Sequence, residues 1–207
     1  MKKLSTFLVI SLLGIPNFLQ ANSLELLKET KECLDCDFNG ADLTEFDLKD
    51  IDITGSDLSL STLSGCDFTN SVIRKVKFVE ADVDGAILDK ALMYMTNWSG
   101  ANLEGASFVQ SDAKGANFEN ANLKDANMSG ARLWASNFQG ANLENVNFTN
   151  AHLGQVNFIG ADLTNTILEG AIFWGAKLQG AKLYKKDCEN AKKDDALMDE
   201  TTQCIEK

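Results

Sequence analysis

An apolar residue recurs at every fifth position from Phe38 to Leu183, without a single insertion. Thirty such five-residue units follow one another, and Leu or Phe occupies the apolar centre in 23 of them. Ala stands two positions before the centre in 16 units, Asp or Asn one position before it in 18, and Gly two positions after it in 13. Four columns therefore keep one register throughout residues 36–185.

A five-residue period fits neither an α-helix, with 3.6 residues per turn, nor a strand, whose side chains alternate every two residues. The chain must therefore turn within each unit, and Gly, Asn and Asp are residues that tolerate such turns. The small residue and the apolar centre are predicted to point inward, and the polar residue between them outward. This pattern predicts a solenoid, in which each coil buries apolar side chains against its neighbours.

Three units carry a resemblance to a known family: Ala-Asp-Leu-Thr-Glu at 41–45, Ala-Asn-Leu-Glu-Gly at 101–105 and Ala-Asn-Leu-Glu-Asn at 141–145. They resemble the pentapeptide repeat family, and the resemblance covers about residues 36–185. It implies an all-β solenoid, a right-handed quadrilateral β-helix with four pentapeptides per coil. Thirty units then make about 7.5 coils, and at about 4.8 Å per coil the rod is roughly 36 Å long.

Four units per coil place the apolar centres on four walls of a square rod. Wall 1 carries Phe38 and every twentieth residue after it, while walls 2, 3 and 4 begin at Leu43, Leu48 and Ile53. Wall 1 is predicted to hold an aromatic ladder inside the rod and wall 2 an aliphatic one. Units at 71–90 depart from the consensus, and we expect their coils to bulge.

Both ends of the chain lie outside the repeat. Residues 1–21 are typical of a secretory signal peptide, with two lysines before a short apolar run and Ala21 at the cleavage position. The alternatives are a buried N-terminal helix and an uncleaved anchor. Residues 22–35 are predicted to form a helical cap and residues 186–207 a charged C-terminal cap, because a solenoid must cover its exposed edges. No other apolar run is long enough to predict a membrane span.

Five cysteines in a chain predicted to be exported favour disulfides. The most economical pairs are Cys33 with Cys36 and Cys188 with Cys204. Cys66 remains in a small inward column, where a buried free thiol is favoured over a reactive one. A redox-active or zinc-binding role for the Cys33 and Cys36 pair is the alternative, but no second such pair or nearby histidine accompanies it.

Composition and motifs disfavour several functions. Nineteen Lys and Arg against thirty Asp and Glu give a net charge of −11, which disfavours direct nucleic-acid binding through phosphates. His152 is the sole histidine, so metal sites and proton relays that need paired histidines are excluded within one chain. The carboxylates follow the repeat instead of converging, and no phosphate loop or nucleophile elbow is found. We therefore predict no enzyme activity, cofactor or metal.

Wall 4 is the predicted binding surface, because exposed aromatic side chains beside arginines are where binding energy concentrates in interfaces. Its rings could instead pack against the caps, a neighbouring protomer or one another. Wall 2 is predicted to be acidic. The predicted partner-binding face consists of Arg74, Tyr94, Lys114, Arg132, Trp134, His152 and Trp174.

The preferred function is a non-catalytic, exported module that serves as a rigid protein-interaction or structural element in the periplasm, a lumen or the medium. Its protein partner is not identified by the sequence. The resemblance also implies an acidic rod that mimics DNA and protects DNA gyrase, although a signal peptide and disulfides argue against a cytoplasmic target. A secreted effector is a further alternative. By analogy with the family, a homodimer through the C-terminal coil, near Trp174 and Tyr184, is also considered.

Overall fold

The computed structural model describes residues 16–207. Its regular elements are α1 (Pro16–Thr30), β1 (Lys182–Tyr184), α2 (Lys185–Lys193) and β2 (Gln203–Ile205). The predicted signal peptide lies outside the described residues, except for residues 16–21, which belong to α1. No helix in the described part of the chain is long and apolar enough to cross a membrane.

Between α1 and β1 the backbone forms a ladder of isolated bridges. Every one of these bridges is parallel and joins residues twenty positions apart. The amide of nearly every apolar centre donates to the next coil, as Leu43 does to the Thr62 carbonyl at 3.0 Å, and Thr62 donates back to Ala41 at 2.9 Å. The structure therefore has the twenty-residue coil that four pentapeptides predict.

Each corner of the coil is a tight turn. Most of these turns are closed by a hydrogen bond from the small residue of one unit to the preceding centre, as from Ala41 to Phe38 at 2.9 Å. The residue two positions after the centre takes a positive φ at nearly every corner from residue 40 to residue 180. Glycine is frequent there because it lacks a Cβ. Glu45 and Asn165 are the two corner residues in this range without a positive φ, and both adjoin an interruption of the ladder.

The larger interruption lies on wall 2, where residues 140–145 face residues 159–164. In this part of the described chain, four amides of the repeat lack the backbone acceptor that their counterparts on other coils have. A cavity of about 230 Å³ lies in the opening, and both Glu144 and Asp162 line it. The four amides belong to Gly140, Leu143, Asn145 and Asp162.

A shorter interruption lies beside Phe46, whose large side chain occupies a small-residue column. Here the amides of Leu48 and Asp67 lack their ladder partners.

The bulge expected at 71–90 is not found, so that prediction is wrong. The bonds there are regular, as from Lys77 to Ser56 at 3.0 Å. Val76 explains the regularity, because its compact side chain is fully buried in the small-residue column.

The core contains the aromatic ladder predicted for wall 1. The Phe78 and Trp98 rings are parallel with centroids 3.9 Å apart, and the stacking continues through Phe118 and Phe138 at 4.8 Å. Rings of wall 3 meet this ladder edge-on, as Phe108 meets Trp98 at 6.1 Å and 85°. Each such pair contributes about 0.5–1.5 kcal/mol beyond the burial of its surface, so the contacts between coils reinforce the backbone ladder.

Helix α1 covers the first coil and differs in extent from the predicted cap at 22–35. It covers residues 16–30 of the described chain and ends at Thr30. Leu27 is buried against the coil. The first rung of the ladder is Glu32, which pairs with Asp52, because the buried Cys33 already occupies the place of an apolar centre.

The C-terminal residues cap the last coil by continuing its ladder. The Leu197 amide donates to Ala176 at 2.7 Å, and Leu178 donates back to Leu197 at 2.8 Å. Strands β1 and β2 pair in parallel on wall 2, and α2 buries Cys188 and Ala191. The tail thus satisfies backbone groups that a further coil would otherwise pair.

Two disulfides hold these ends. Cys33 is bonded to Cys36, with Cα atoms 5.7 Å apart, and Cys188 is bonded to Cys204, with Cα atoms 6.0 Å apart. Cys66 is a buried free cysteine. Burial, with a smaller effect of the Asp42 charge, raises the pKa of the Cys66 thiol to about 11. This thiol is therefore protonated at neutral pH and poorly reactive.

Candidate functional site

Wall 4 carries an uninterrupted ladder along its outer surface. The twenty-residue coil aligns equivalent residues one above another, with neighbouring rungs about 4.8 Å apart. One row precedes the apolar centres and a second row follows them, so the repeat brings all seven residues of the predicted face onto one wall. The first row is Glu32, Asp52, Val72, Leu92, Asp112, Arg132, His152 and Ile172, and the second is Leu34, Thr54, Arg74, Tyr94, Lys114, Trp134, Gly154 and Trp174.

Asp112 organises the polar half of this wall. Its side chain is almost fully buried, and one carboxylate oxygen, Oδ2, accepts a hydrogen bond from the Tyr94 hydroxyl at 2.9 Å. Lys114 Nζ lies 3.2 Å from the same oxygen and Arg132 Nη1 3.6 Å from it. A buried carboxylate needs such partners to offset its loss of hydration. Asp112 therefore positions three of the seven predicted side chains.

Two cations also contact the Tyr94 ring. The Arg74 guanidinium lies 5.4 Å from the ring centroid and Lys114 Nζ lies 5.6 Å from it, both within the range of a cation–π interaction. Among the described residues, no carboxylate forms an ion pair with Arg74 or its neighbour Lys75, and both side chains are exposed. Arg74 and Lys75 therefore present positive charge that no ion pair of the described chain neutralises, although the acidic rungs Glu32 and Asp52 precede them on the same wall.

Trp134 and Trp174 form the aromatic half of the wall. Their rings stack with centroids 5.2 Å apart and planes 20° apart, although the two residues lie two coils apart. They meet because Gly154 occupies the intervening position: a Cβ there would lie 2.5 Å from Trp134 Cε3 and Cζ3. Trp134 stays 39% exposed and Trp174 50% exposed. The rings therefore pack on each other and still present a large apolar surface to solvent.

The charges of wall 4 contrast with those of wall 2. Wall 4 exposes more basic than acidic groups in a chain whose net charge is −11. On wall 2, hydrogen bonds from the Thr44 and Thr164 hydroxyls and amides lower the pKa values of Asp42 and Asp162. These two groups stay ionised well into the acid range. The outward carboxylates of wall 2 are Asp42, Glu45, Asp82, Asp84, Glu104, Asp125, Glu144 and Asp162.

His152 is the predicted face residue that joins neither cluster. It is exposed on the rung between Arg132 and Ile172.

Sequence reasoning missed two residues that shape the site, Asp112 and Gly154. The signal for Gly154 is that it alone, among the glycines after residue 21, lies outside the corner column. The signal for Asp112 is an acidic rung placed next to Arg132.

A cavity lies between wall 2 and the C-terminal cap. It measures about 570 Å³ and is lined by Tyr184, three lysines, three carboxylates and polar side chains of the 164–169 corner. Lys185 Nζ and Glu206 Oε1 lie 3.0 Å apart at its edge, so two of these charges neutralise each other. No group of three or more His, Cys, Asp or Glu side chains in the described residues could hold a metal ion.

Comparison with known proteins identifies the repeat. The family described as pentapeptide repeats matches residues 32–70, 52–89, 96–134, 126–165 and 136–175. No curated protein sequence gives a significant match.

Among solved structures, a trypsin-treated QnrB1, titled a plasmid-mediated fluoroquinolone resistance protein, is 19% identical, with 74% of this chain and 73% of that chain covered and a TM-score of 0.42. HetL from the cyanobacterium Nostoc sp. strain PCC 7120, titled as involved in heterocyst differentiation regulation, is 22% identical over 76% and 94% of the chains, with a TM-score of 0.32. A protein from the thylakoid lumen of Arabidopsis thaliana is 27% identical over 69% and 78%, with a TM-score of 0.20.

Proposed function

The chain belongs to the pentapeptide repeat family, and on this premise we propose that it is a non-catalytic, exported protein-interaction module that binds a protein partner through wall 4. Members of this family fold as right-handed quadrilateral β-helices, and we infer that winding and about 7.5 coils for this chain. A solenoid of this kind presents flat walls whose side chains keep fixed spacings. Such a surface suits recognition more than catalysis.

The observation that carries the proposal is the exposed Trp134 and Trp174 stack on the wall that also bears Arg74, Tyr94 and Arg132. Trp, Tyr and Arg are the residues that contribute most to binding energy when a partner covers them. Here they are also held in place before binding, by Gly154 and by Asp112. A preorganised surface loses less conformational entropy when it binds.

Export is supported by the two disulfides, since structural disulfides persist in oxidising compartments and are rare in the cytosol. The lysines and the apolar run near the N-terminus support it independently. The same features weigh against the gyrase-protecting alternative, which rests on net negative charge and rod shape alone and requires a cytoplasmic location. Mass spectrometry of the native protein tests this point: an N-terminus at Asn22 and two disulfides in an exported fraction support export, whereas an intact, reduced chain in the cytoplasm contradicts it.

The binding proposal is tested by removing the Trp stack. Crosslinking of the tagged chain in cells that produce it, followed by purification, should capture a partner. The double substitution Trp134→Ala and Trp174→Ala should reduce that capture at least tenfold, because truncated hot-spot aromatics typically cost 2 kcal/mol or more each.

A matched control removes apolar surface elsewhere. Ile87 and Ile167 are exposed on wall 3, and changing both to Ala should leave capture unchanged. Circular dichroism and the melting temperature should show that both double variants keep the fold. Equal capture by the Trp variant and the wild type would refute wall 4 as the binding face.

A further inference from the structure

We infer that the partner presents to wall 4 an acidic, extended polypeptide segment with carboxylates at one end and apolar side chains at the other. This inference rests on the proposed function of wall 4. It follows from the way in which the wall is divided along the axis of the rod. After the acidic rungs Glu32 and Asp52, the cations Arg74 and Lys75, which form no ion pair in the described chain, lie towards the N-terminal coils, and the aromatic stack lies towards the C-terminal coils.

The cationic end consists of Arg74 and Lys75. Both are exposed, and no carboxylate in the described chain forms an ion pair with either. Lys114 and Arg132, in contrast, already share Asp112. Because the rest of the rod is acidic, a positive patch of this kind attracts negative groups locally and orients them on approach. Carboxylates of the partner are therefore expected opposite Arg74 and Lys75.

The aromatic end consists of Trp134 and Trp174, with the exposed Ile172 beside them on the ladder. Within the repeat, no acidic residue lies on the outward rows of wall 4 after Asp112. Asp194 of the C-terminal cap closes the wall, and its carboxylate accepts a hydrogen bond from the Phe173 amide at 2.9 Å. Apolar side chains of the partner gain about 25 cal/mol for each Å² that is removed from water here. Leu, Ile or aromatic side chains are therefore expected opposite the stack.

The distance between the two ends sets the length of the segment. Residues 74 and 174 are five coils apart at twenty residues per coil, which corresponds to about 24 Å along the rod at about 4.8 Å per coil. An extended chain advances about 3.3 Å per residue, so about seven or eight residues cover the wall.

The chemistry of the wall favours a polypeptide over other anions. A nucleic acid carries uniform high negative charge, and the net charge of −11 on this chain repels it at long range. The Trp rings use their facing sides on each other, which leaves less flat aromatic surface for a sugar ring. A short segment that combines a few carboxylates with apolar side chains avoids both difficulties.

The experiment selects random displayed dodecapeptides on the immobilised full chain with its disulfides intact. Binding sequences should be enriched in Asp and Glu at one end and in Leu, Ile, Phe or Trp about five residues away. Synthetic peptides of these sequences should bind at least tenfold more weakly to the Arg74→Glu, Lys75→Glu variant. Raising the salt concentration should weaken wild-type binding, because exposed charge pairs are screened.

The control reverses the same number of charges on other walls. Lys90 and Lys177 are exposed on walls 3 and 1 and form no ion pair in the described chain, and their change to Glu should leave peptide binding within twofold of wild type. Selection on the Arg74→Glu, Lys75→Glu variant should enrich Lys and Arg in place of Asp and Glu.

The outcomes separate this inference from the proposed function. Selected peptides that are neutral or basic, but that lose binding in the Trp134→Ala, Trp174→Ala variant, would overturn the acidic segment and leave the binding face intact. Peptides that bind the Trp variant as well as they bind the wild type would overturn both. Preferential binding of a short DNA duplex, or self-association of the chain that depends on Arg74 and Lys75, would also overturn the inference.

Discussion

Walls 2 and 4 share the same coils, yet they differ in their outer side chains and in the continuity of their ladders. The ladder of wall 4 is unbroken from Asp52 to Ile172, whereas that of wall 2 opens between the rungs at Asn142 and Asp162. The apolar centres of both walls are buried Leu, Ile, Phe, Val or Met, with one Ala. The comparison shows that the inward columns specify the coil, while outward residues are free to diverge because they do not fill the core.

The outer side chains suggest why one wall opens. On wall 4, contacts run from coil to coil, through Tyr94, Asp112 and Arg132 and then through the Trp stack. On wall 2, Glu144 and Asp162 line the same opening, and like charges on neighbouring rungs disfavour pairing. Cross-coil side-chain contacts and backbone pairing therefore support each other on wall 4. On wall 2 they also coincide where an Asn ladder joins Asp82, Asn102, Asn122 and Asn142, and the ladder opens only at the next rung, where two carboxylates line the gap.

The largest expected effect comes from truncating an inward leucine on each wall. Leu133 of wall 4 and Leu143 of wall 2 are both buried centres. Leu133→Ala should lower the free energy of unfolding by about 4 kcal/mol, because its bonded surroundings cannot collapse into the cavity. Leu143→Ala should cost about 2 kcal/mol, because the opened wall can relax. Urea unfolding monitored by circular dichroism measures both.

Two results would argue against this difference. If both variants lost the same unfolding free energy, the opening would not help wall 2 to relax around the cavity. If Leu143→Ala lost more, wall 2 would be the better packed of the two. The slope of unfolding against urea concentration must match that of wild type in each case, so that the comparison concerns stability alone.

Hydrogen exchange should show the second-largest difference. The Leu133 amide donates to His152 at 3.0 Å and the Ala135 amide to Gly154 at 2.9 Å, whereas the Leu143 and Asn145 amides have no ladder acceptor in the described chain. Since exchange requires an amide to be free of its hydrogen bond, Leu143 and Asn145 should exchange about 100-fold faster or more. Residue-resolved exchange by NMR tests this, and equal protection on both walls would show that the ladder of wall 2 is closed in solution.

A smaller effect is expected from Gly154→Ala. The added Cβ would lie 2.5 Å from two ring atoms of Trp134, so the ring must move and the stack with Trp174 is lost. We expect a loss of about 1–2 kcal/mol in unfolding free energy, similar to other overpacked sites, and a change in tryptophan fluorescence.

A double-mutant cycle isolates this contact. In a Trp134→Ala background the added methyl group meets no ring, so Gly154→Ala should cost little. If the cost of Gly154→Ala were the same in both backgrounds, the glycine would be required by the backbone and not by the tryptophans. Wall 2 has no equivalent stack, so the result bears on wall 4 alone.

Most of the architecture follows from the sequence because it depends on a repeated pattern. The five-residue period recurs thirty times, and the small-residue column and the wall 1 ladder of Phe78, Trp98 and Phe118 recur in the same register. The same register brought Arg74, Trp134 and the other face residues onto one wall. A departure in one unit does not change the pattern that the other units share, so the fold can still be predicted.

The unpredicted features depend on single residues and on contacts between coils. Val76 and Phe46 both depart from the small-residue column, but only Phe46 is too large for it, so side-chain volume explains why the ladder breaks at Phe46 and not at Val76. The opening at Asn165 has no such marker, since Asn readily adopts the positive φ that this corner lacks. The stack across Gly154 became visible only when the ring positions were known.

The smallest expected effect concerns a carboxylate of wall 2. A hydrogen bond from the Thr164 hydroxyl, at 2.6 Å, and one from the Thr164 amide, at 3.0 Å, lower the pKa of Asp162 below its ordinary value of 3.8. The lowered pKa means that ionised Asp162 contributes stability above about pH 3.8 and that this contribution is lost as the pH falls through its folded-state pKa. Thr164→Ala removes the hydroxyl and should raise this pKa towards 3.8, as measured by NMR titration of the side-chain carboxyl.

Asp42 provides the matched control, because the Thr44 hydroxyl and amide bond to it in the same way at 2.7 Å and 3.1 Å. Thr44→Ala should therefore shift Asp42 in the same direction and leave Asp162 unchanged. Asp42 lies where wall 2 still pairs with Thr62, and Asp162 lies at the opening. If the lowered pKa of Asp162 depended on the opening and not on Thr164, the Thr164→Ala variant would keep that lowered pKa. The Thr44→Ala variant would still lose the lowered pKa of Asp42. If the two substitutions raised the pKa values of Asp162 and Asp42 equally, the threonine hydrogen bonds alone would account for the lowered values, whether or not the ladder continues.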